Sequence, residues 1–294
     1  MPFFNDSAIP MSDEEFRLLR DHIYSYSGLY FSSDAQYLLE KRLGRRLQEQ
    51  QFKSFREYYQ FLKFNRKRDQ ELEEIMDILT TNETYFFRES YQLQAFSDEI
   101  LPELIKKART SAVQRPRLRI WSAGCSTGEE PYTIAMLLLE QAELAHWQIE
   151  VVGTDISQRV LQQARRGVYA QASFRMTDEY YLRKYFTRQD DGQRINDQVR
   201  QLVSISHLNL QDQARMAMLG AFDIIFCRNV LIYFDIAAKK RVVEAFYNSL
   251  RPEGYLLLGH SESLMNVTTL YTLRHFKNDM VYQKPAASAN GVQA

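Results

Sequence analysis

From about residue 117 onward, short and almost continuously apolar segments alternate with segments of helical periodicity. The strand-like segments are LRIWSA (118–123), IEVVGTD (149–155), LVSISHLNL (202–210), FDIIFCRNV (222–230) and GYLLLGHSES (254–263). Apolar strands that alternate with helices are typical of a parallel sheet covered on both faces. The sequence therefore predicts an α/β domain, and this prediction constrains every later argument about function.

Two further patterns modify this sheet. TLYTLRHF and MVYQK, separated by residues 277–279, predict a final hairpin that adds antiparallel strands to the sheet, as in one large class of nucleoside-binding folds. YYLRKYFTRQ and QRINDQVRQLVSI flank the turn sequence Asp190-Asp191-Gly192 and predict a small antiparallel insert at about residues 180–204. Residues 286–294 have little apolar material to pack and are expected to form a tail.

Residues from about 10 to 80 predict a separate helical domain. Ser12 and Glu15 match a capping box, and Leu39, Leu43 and Leu47 form an apolar stripe at helical spacing. A chain with 37 basic and 37 acidic residues has no net charge, yet residues 41–68 alone hold ten basic and two acidic residues. Such a basic stretch is either a solvated face or a docking surface for an acidic macromolecule.

Composition excludes several classes of protein. Two cysteines and five scattered histidines provide neither a disulfide scaffold nor a zinc-type spacing, so no metal is expected. The longest apolar run, residues 134–139, is far short of a membrane span, and MPFFNDSAIP lacks the features of a signal peptide. No glycine-aromatic RNA-binding motif accompanies the basic residues. We expect a cytoplasmic protein that neither inserts into membranes nor binds nucleic acid.

The loop after the first strand limits the ligand. Gly124 and Gly128 lie between a strand and a helix, where the backbone can approach a ligand closely. Glu129 and Glu130 follow at once, and two carboxylates at a helix start would repel a pyrophosphate. Asp155 ends the second strand, where a carboxylate can accept both hydroxyls of a ribose. An adenosine cofactor without phosphates fits this pattern, and S-adenosylmethionine meets the description. Two further residues, Cys125 and Cys227, are interpreted as small packing residues.

Seven segments carry a resemblance to a known family. They are TNETYFFRE, WSAGCSTGEEPYT, GTDIS, ARRGVY, HLNL, FCRNVLIYFD and GHSES. In this order and spacing, over residues 12–284, they resemble the chemotaxis-receptor methyltransferases, the CheR family of protein-glutamate O-methyltransferases. The resemblance implies a helical receptor-docking domain (1–78) and a class I S-adenosylmethionine-dependent methyltransferase domain (79–285) with a Rossmann-like sheet and an inserted β-subdomain. S-adenosylhomocysteine would be the product, and glutamate γ-methyl esters on chemoreceptors would serve sensory adaptation.

The resemblance also implies site residues. The cofactor pocket would use Asn82, Thr84, Arg88, Ala123, Gly124, Glu129, Asp155, Asn209, Leu210, Arg228 and Asn229. Arg88 and Tyr233 would position the substrate, and Arg88 would contact either the substrate carboxylate or that of the cofactor. The basic helix with Lys41, Arg42, Arg45 and Arg46 would dock on the cytoplasmic helices of the receptor.

Three questions stay open at this stage. The turn RQDDGQR is short beside family members that bind a receptor's C-terminal pentapeptide, which argues against such tethering here. A class I methyltransferase with another substrate would keep the cofactor residues but leave the basic stretch unexplained. A catalytically idle adaptor that binds S-adenosylmethionine is the other alternative, and the presence of Arg88 and Tyr233 argues against it.

Overall fold

The computed structural model describes residues 9–110 and 115–286 and divides into two compact units. The N-terminal unit contains the chain up to Thr81 together with Tyr233–Asp235, and the sheet unit contains Asn82–Ile232 and the chain from Ile236 onward. Within the described ranges, no helix combines the length and the apolar character that crossing a membrane requires.

The N-terminal unit is all-α, as predicted. Its helices are α1 (Asp13–Ser27), α2 (Gln36–Glu49), α3 (Phe55–Phe64) and α4 (Arg68–Leu79). The capping box is confirmed, because the Ser12 side chain accepts from the Glu15 N–H while the Glu15 carboxylate accepts from the Ser12 N–H. The predicted stripe of Leu39, Leu43 and Leu47 is fully buried. Burial of this stripe holds α2 against the other helices of the unit.

The described part of the sheet unit contains ten strands. They are β1 (Arg117–Ala123), β2 (Gln148–Asp155), β3 (Val168–Tyr169), β4 (Phe186–Gln189), β5 (Gly192–Ile195), β6 (Val203–His207), β7 (Phe222–Cys227), β8 (Leu250–Leu258), β9 (Thr272–His275) and β10 (Met280–Gln283). Seven of them form a sheet in the order β6-β2-β1-β7-β8-β10-β9. The first five of that order pair in parallel, and β10 and β9 pair antiparallel. The predicted parallel sheet with an antiparallel terminal hairpin is therefore confirmed.

Helices cover both faces of this sheet. They are α5 (Ser90–Ala95), α6 (Leu101–Arg109), α7 (Glu129–Leu139), α8 (Gln158–Arg166), α9 (Glu179–Tyr185), α10 (Asp197–Arg200), α11 (Gln213–Met218) and α12 (Ile236–Ser249), with a π-helical turn at Phe96–Ile100. On one face, Trp121 of β1 packs its ring against Phe246 of α12. On the other face, Phe226 of β7 packs against Phe96 of the π-helical turn. Both faces of the central strands are thus buried, which explains their nearly continuous apolar sequence.

The predicted antiparallel insert is confirmed, with one strand that the sequence did not indicate. β4 and β5 form a hairpin around Asp190 and Asp191, and β3 pairs with the other edge of β5. β3 is only two residues long, Val168 and Tyr169, and follows directly after α8. So short a strand has no period of its own to reveal it.

Candidate functional site

The site lies where the carboxyl ends of β1, β2 and β7 meet. Because β1 is paired with β2 on one side and with β7 on the other, the chain leaves these ends in different directions and opens a crevice. Ala123 is the buried last residue of β1, and Gly124 follows it. The N–H groups of Gly124 and Cys125 both donate to the carbonyl of Thr154 at 2.8 Å, which ties the glycine loop to the end of β2.

Both glycines of this loop are required by geometry. Gly124 has a φ of +81°, and a Cβ there would lie 2.3 Å from Val230 Cγ2. Gly128 has a φ of +94°, and its Cβ would lie 2.9 Å from the Cβ of Ala164. No side chain fits at either position without displacing a neighbour. The loop therefore passes unusually close to the segment that follows β7 and to α8.

Asp155, the predicted ribose acceptor, is buried at the end of β2. Its Oδ2 accepts from the Ser126 N–H at 2.8 Å and its Oδ1 from the Ser157 N–H at 3.0 Å. Burial raises the pKa of Asp155, and these backbone hydrogen bonds oppose that effect. A carboxylate has about four acceptor sites, so acceptor capacity for a ligand hydroxyl remains beside these backbone donors. The arrangement fits a group that accepts from the two hydroxyls of a ribose.

Glu129, at the start of α7, is only 2% exposed. Its carboxylate accepts from Thr127 Oγ1 at 2.6 Å and from Ser173 Oγ at 3.0 Å. Burial raises the pKa of Glu129, and the hydrogen bonds from the Thr127 and Ser173 hydroxyls oppose that effect. These two bonds hold Glu129 beside the glycine loop, where it remains a candidate for cofactor binding.

Arg228, which follows β7, is at the centre of a buried ionic cluster. Its guanidinium pairs with Glu130 Oε2 and with Glu89 Oε2, both at 3.2 Å, and donates to the Arg88 carbonyl at 2.5 Å. Burial raises the pKa of Glu130. Burial also acts to raise the pKa of Glu89, but Arg228 and further hydrogen-bond donors outweigh it, so the pKa of Glu89 is lowered. This cluster connects β7, α7 and the segment before α5 into one frame.

Two polar atoms of this frame are buried without a hydrogen-bond partner among residues 9–110 and 115–286. They are Asn229 Oδ1 and Arg228 Nε. An unsatisfied buried acceptor costs about 1–3 kcal/mol, so such an atom is commonly explained by a missing ligand. Asn229 also has a φ of +60°, while its Nδ2 donates to Glu89 Oε1 at 3.3 Å. Its amide oxygen is therefore fixed in place and ready to accept from a ligand N–H group.

Of the other predicted cofactor residues, Asn82 contacts the glycine loop. The Asn82 carbonyl accepts from Ser126 Oγ at 3.4 Å, and Thr84 is partly exposed two residues later. Arg88 Nη1 donates to the Glu83 carbonyl at 2.8 Å. After β6, Leu210 is buried, and Asn209 Oδ1 accepts from the Gln211 N–H at 2.9 Å.

Tyr233 is part of the N-terminal unit. Its carbonyl accepts from the Tyr30 N–H at 2.9 Å, and 37% of the residue is exposed. Asp235, two residues later, accepts from the Tyr24 hydroxyl at 3.0 Å. Tyr233 thus lies in a segment that is hydrogen-bonded within the N-terminal unit, and the residue is partly exposed.

The four basic residues predicted to dock a receptor divide into two pairs. Lys41 and Arg45 are exposed, and Arg45 pairs with Glu49 one turn later on the same helix. Arg42 instead donates to the Leu79 carbonyl at 2.7 Å, and Arg46 forms a bidentate pair with Glu71. The second pair holds α2 against α4 and is largely withdrawn from solvent.

Sequence reasoning missed Glu89, Glu130 and Glu262 as members of the frame around the crevice. Glu89 and Glu262 lie in TNETYFFRE and GHSES, two of the segments that carry the family resemblance, but the sequence does not indicate their hydrogen-bond partners. Cys125 and Cys227 are fully buried, and burial raises the pKa of both thiols, which agrees with packing roles. No cluster of three or more potential metal ligands occurs within residues 9–110 and 115–286.

The charges of the crevice define the ligand that fits. Carboxylates outnumber the single buried guanidinium of Arg228; they belong to Glu89, Glu129, Glu130 and Asp155. A pyrophosphate would be repelled here, whereas a nucleoside that carries positive charge would be attracted. S-adenosylmethionine has a ribose, a sulfonium and an ammonium group, so the residues present fit this cofactor.

Two family descriptions match the chain in succession. The description "CheR methyltransferase, all-alpha domain" matches residues 14–80, and "CheR methyltransferase, SAM binding domain" matches residues 82–279. The boundary between these matches falls next to the division between the two compact units after Thr81.

Curated proteins are similar over nearly the whole chain. Chemotaxis protein methyltransferase 2 of Vibrio cholerae is 38% identical over 283 residues, which cover 95% of this chain and 96% of that protein. The chemotaxis protein methyltransferase of Borreliella burgdorferi is 39% identical over 264 residues, covering 89% and 92%. Among solved structures, the N-methyltransferase NodS from Bradyrhizobium japonicum, in complex with S-adenosyl-l-homocysteine, aligns with 71% of this chain and 92% of its own at 15% identity and a TM-score of 0.39.

Proposed function

This chain belongs to the CheR methyltransferase family, and we propose that it transfers the methyl group of S-adenosylmethionine to glutamate side chains in the cytoplasmic part of a chemoreceptor. The products are a glutamate γ-methyl ester and S-adenosylhomocysteine. The observation that carries the proposal is the crevice at the ends of β1, β2 and β7, in which buried Asp155 and the unpartnered Oδ1 of Asn229 suit a cationic nucleoside.

The reaction needs positioning more than it needs acid–base chemistry. When bound, S-adenosylmethionine supplies an electrophilic methyl group on a positively charged sulfur. A glutamate with a pKa of about 4.3 is already ionised at neutral pH, so no general base has to remove a proton. One carboxylate oxygen–methyl bond forms while the sulfur–methyl bond breaks, and the opposite charges disappear together. Holding the reactants in line can contribute up to about 7–11 kcal/mol, and excluding water from the anion adds to this.

Each site residue then has a distinct task. Asp155 accepts from the ribose hydroxyls, and Asn229 Oδ1 accepts from the ammonium group of the cofactor. Tyr233 donates its hydroxyl to the incoming glutamate carboxylate and orients it for attack. Arg88 binds a carboxylate, either that of the substrate or that of the cofactor. Arg228 keeps Glu89 and Glu130 in place and so maintains the shape of the crevice.

Release of methanol tests this function directly. The full chain is incubated with methyl-labelled S-adenosylmethionine and cytoplasmic fragments of candidate chemoreceptors, and the modified fragment is then treated with base. Volatile labelled methanol is expected, because a carboxyl ester hydrolyses while N-methyl and ether linkages do not. A fragment with its exposed glutamates changed to alanine is the matched control. Base-stable label on another substrate would support a different methyltransferase, and binding without transfer would support an idle adaptor.

Tyr233→Phe should lower kcat by about 10- to 100-fold, because it removes one hydrogen bond that orients the carboxylate in the transition state. The affinity for S-adenosylhomocysteine should stay within about twofold of the wild-type value. Initial rates at saturating cofactor and receptor, together with calorimetry, provide both readings. Tyr180→Phe removes a hydroxyl from an exposed tyrosine of α9 and is the control. An unchanged kcat for Tyr233→Phe would remove the role proposed for its hydroxyl.

An exposed stripe on α2 supports receptor docking. Tyr37, Lys41 and Arg45 are spaced four residues apart and therefore lie on one face of the helix. All three are exposed, with 71% of Tyr37 accessible to solvent. A stripe of one aromatic ring and two cations suits an acidic helical surface. We therefore propose that the receptor contacts this stripe and not Arg42 or Arg46.

Arg45→Glu should raise the KM for a receptor fragment at least about fivefold and leave the affinity for S-adenosylhomocysteine unchanged. Reversing an exposed charge weakens the encounter with an acidic partner, so the difference should shrink as salt is added. Initial rates at low and at high ionic strength measure both effects. Arg109→Glu, which changes the exposed last residue of α6 in the sheet unit, is the control. If cofactor affinity falls together with receptor affinity, α2 is a structural element only.

Recognition of the receptor is proposed to work without a pentapeptide tether. Only Asp190 and Asp191 separate β4 from β5, so the hairpin has a minimal turn with which to hold a peptide. Titration of the chain with a peptide copied from a receptor C-terminus should therefore give no measurable heat, and saturable binding would contradict this proposal.

A further inference from the structure

Glu262 lies between two loops of the sheet unit and bonds to both. Its Oε2 accepts from the N–H groups of Asn229 and Gly259, each at 2.7 Å. Its Oε1 accepts from the N–H groups of Val230 at 2.9 Å and Ile232 at 3.2 Å. One carboxylate thus accepts from at least four backbone donors. Hydrogen bonds to an ionised acceptor are about twice as strong as those between neutral groups.

The structure leaves room for this contact only because residue 259 is glycine. A Cβ at Gly259 would lie 2.9 Å from Glu262 Oε2 and 2.8 Å from the backbone nitrogen of Asn229. Burial raises the pKa of Glu262, and its hydrogen bonds to backbone N–H groups oppose that effect. The carboxylate is therefore held at close range by the shape of both loops and is not an incidental surface contact.

The donors at Asn229, Val230 and Ile232 belong to one segment, which begins at Asn229. This residue has a φ of +60°, a left-handed conformation that costs an asparagine side chain free energy and persists only where its surroundings enforce it. The side chain of the next residue, Val230, packs against Gly124. Its Cγ2 would lie 2.3 Å from a Cβ at position 124. The conformation of this segment thus sets both the direction of Asn229 Oδ1 and the width of the crevice beside the glycine loop.

We propose that Glu262 is a positioning residue for the cofactor site: it fixes the segment 229–232 so that the unpartnered Oδ1 of Asn229 is presented to the ligand. The inference rests on the proposed function insofar as Asn229 binds the cofactor. Glu262 itself acts through the backbone of Asn229 and touches neither reactant. A glutamine has the same shape, but its NH2 group would face two N–H donors and lose their hydrogen bonds.

A double-mutant cycle on cofactor affinity distinguishes this role from a purely structural one. The dissociation constant of S-adenosylhomocysteine is measured by calorimetry for the wild-type chain, E262Q, N229A and the double variant. We expect E262Q and N229A each to raise the dissociation constant about tenfold. The dissociation constant of the double variant should lie within about threefold of the larger single-variant value. Two residues that act through one contact are not additive, whereas independent losses would multiply to about a hundredfold. E244Q, on the exposed side of α12, is the control.

Thermal unfolding is recorded for every variant so that affinities are compared only between folded proteins. Should E262Q not fold, E262D replaces it, since it keeps the charge but is shorter by one methylene group. The inference is overturned if a folded Glu262 variant binds within twofold of wild type, or if the losses multiply. The cycle needs no receptor, so a failure to methylate receptor glutamates would contradict the proposed function and leave this inference standing.

Discussion

Asp155→Ala should weaken binding of S-adenosylhomocysteine by about 100-fold. The buried carboxylate is the acceptor proposed for both ribose hydroxyls, and hydrogen bonds to a charged group are each worth about 1.5–3 kcal/mol. The same substitution frees the N–H groups of Ser126 and Ser157, which Asp155 now holds at 2.8 and 3.0 Å, so the glycine loop also loses an anchor. Asp155→Asn keeps one carbonyl acceptor and should lose about tenfold. Calorimetric titration of the three proteins gives the ranking.

Asp69→Ala is the control for this series, because its side chain is 80% exposed on α4 and belongs to the N-terminal unit. Circular dichroism of each variant shows that the comparison is between folded chains. An affinity for Asp155→Ala within twofold of wild type would remove the ribose assignment. A loss of the same size in Asp155→Asn and Asp155→Ala would mean that the negative charge matters more than the number of acceptors.

The order of elements was predictable because each signal is local. The apolar segments, the capping box at Ser12 and the hairpin turn at Asp190 depend on residues within a few positions of one another. β3 was missed because Val168 and Tyr169 form a strand only by pairing with β5, some 25 residues later in the chain. The residues next to Val168 and Tyr169 in sequence do not indicate such a partner.

The same distinction applies to the candidate site. Gly124 and Asp155 could be assigned because a glycine at a strand end and a carboxylate at the next strand end are meaningful by themselves. Glu89 and Glu130 could not, because their roles follow from Arg228, which is 139 and 98 residues away in sequence. The sequence predicts that the adjacent carboxylates of Glu129 and Glu130 repel a pyrophosphate. In the structure, Glu130 pairs with the buried guanidinium of Arg228.

The basic stretch of α2 shows where residue type alone misleads. Lys41, Arg42, Arg45 and Arg46 look equivalent in the sequence, yet they face different surroundings once Leu39, Leu43 and Leu47 are buried. Arg46 lies next to this stripe and reaches across to Glu71 on α4, while Arg45 points to solvent with 87% of its side chain exposed. Charge counted along the chain therefore overstates the charge available to a partner.

Arg46→Met should destabilise the N-terminal unit by about 3 kcal/mol, since removing one member of a buried ion pair leaves the other charge uncompensated. Arg46 donates to both oxygens of Glu71 at 2.7 Å, and the side chains are only 17% and 8% exposed. Tyr58 also donates to Glu71 at 2.7 Å and would still donate to the carboxylate after the substitution. Urea unfolding by far-ultraviolet circular dichroism, with hydrogen exchange of peptides from α2 and α4, measures the loss and locates it.

Arg45→Met is the matched control, because it makes the same change one residue away on the exposed side of α2 and should alter stability by less than about 0.5 kcal/mol. Adding Glu71→Gln to Arg46→Met should recover part of the lost stability, since the double variant no longer buries an unpaired charge and Tyr58 can still donate to the amide oxygen. Equal losses for Arg45→Met and Arg46→Met would contradict this account. No recovery in the double variant would show that Arg46 stabilises α2 through the packing of its alkyl chain and not through Glu71.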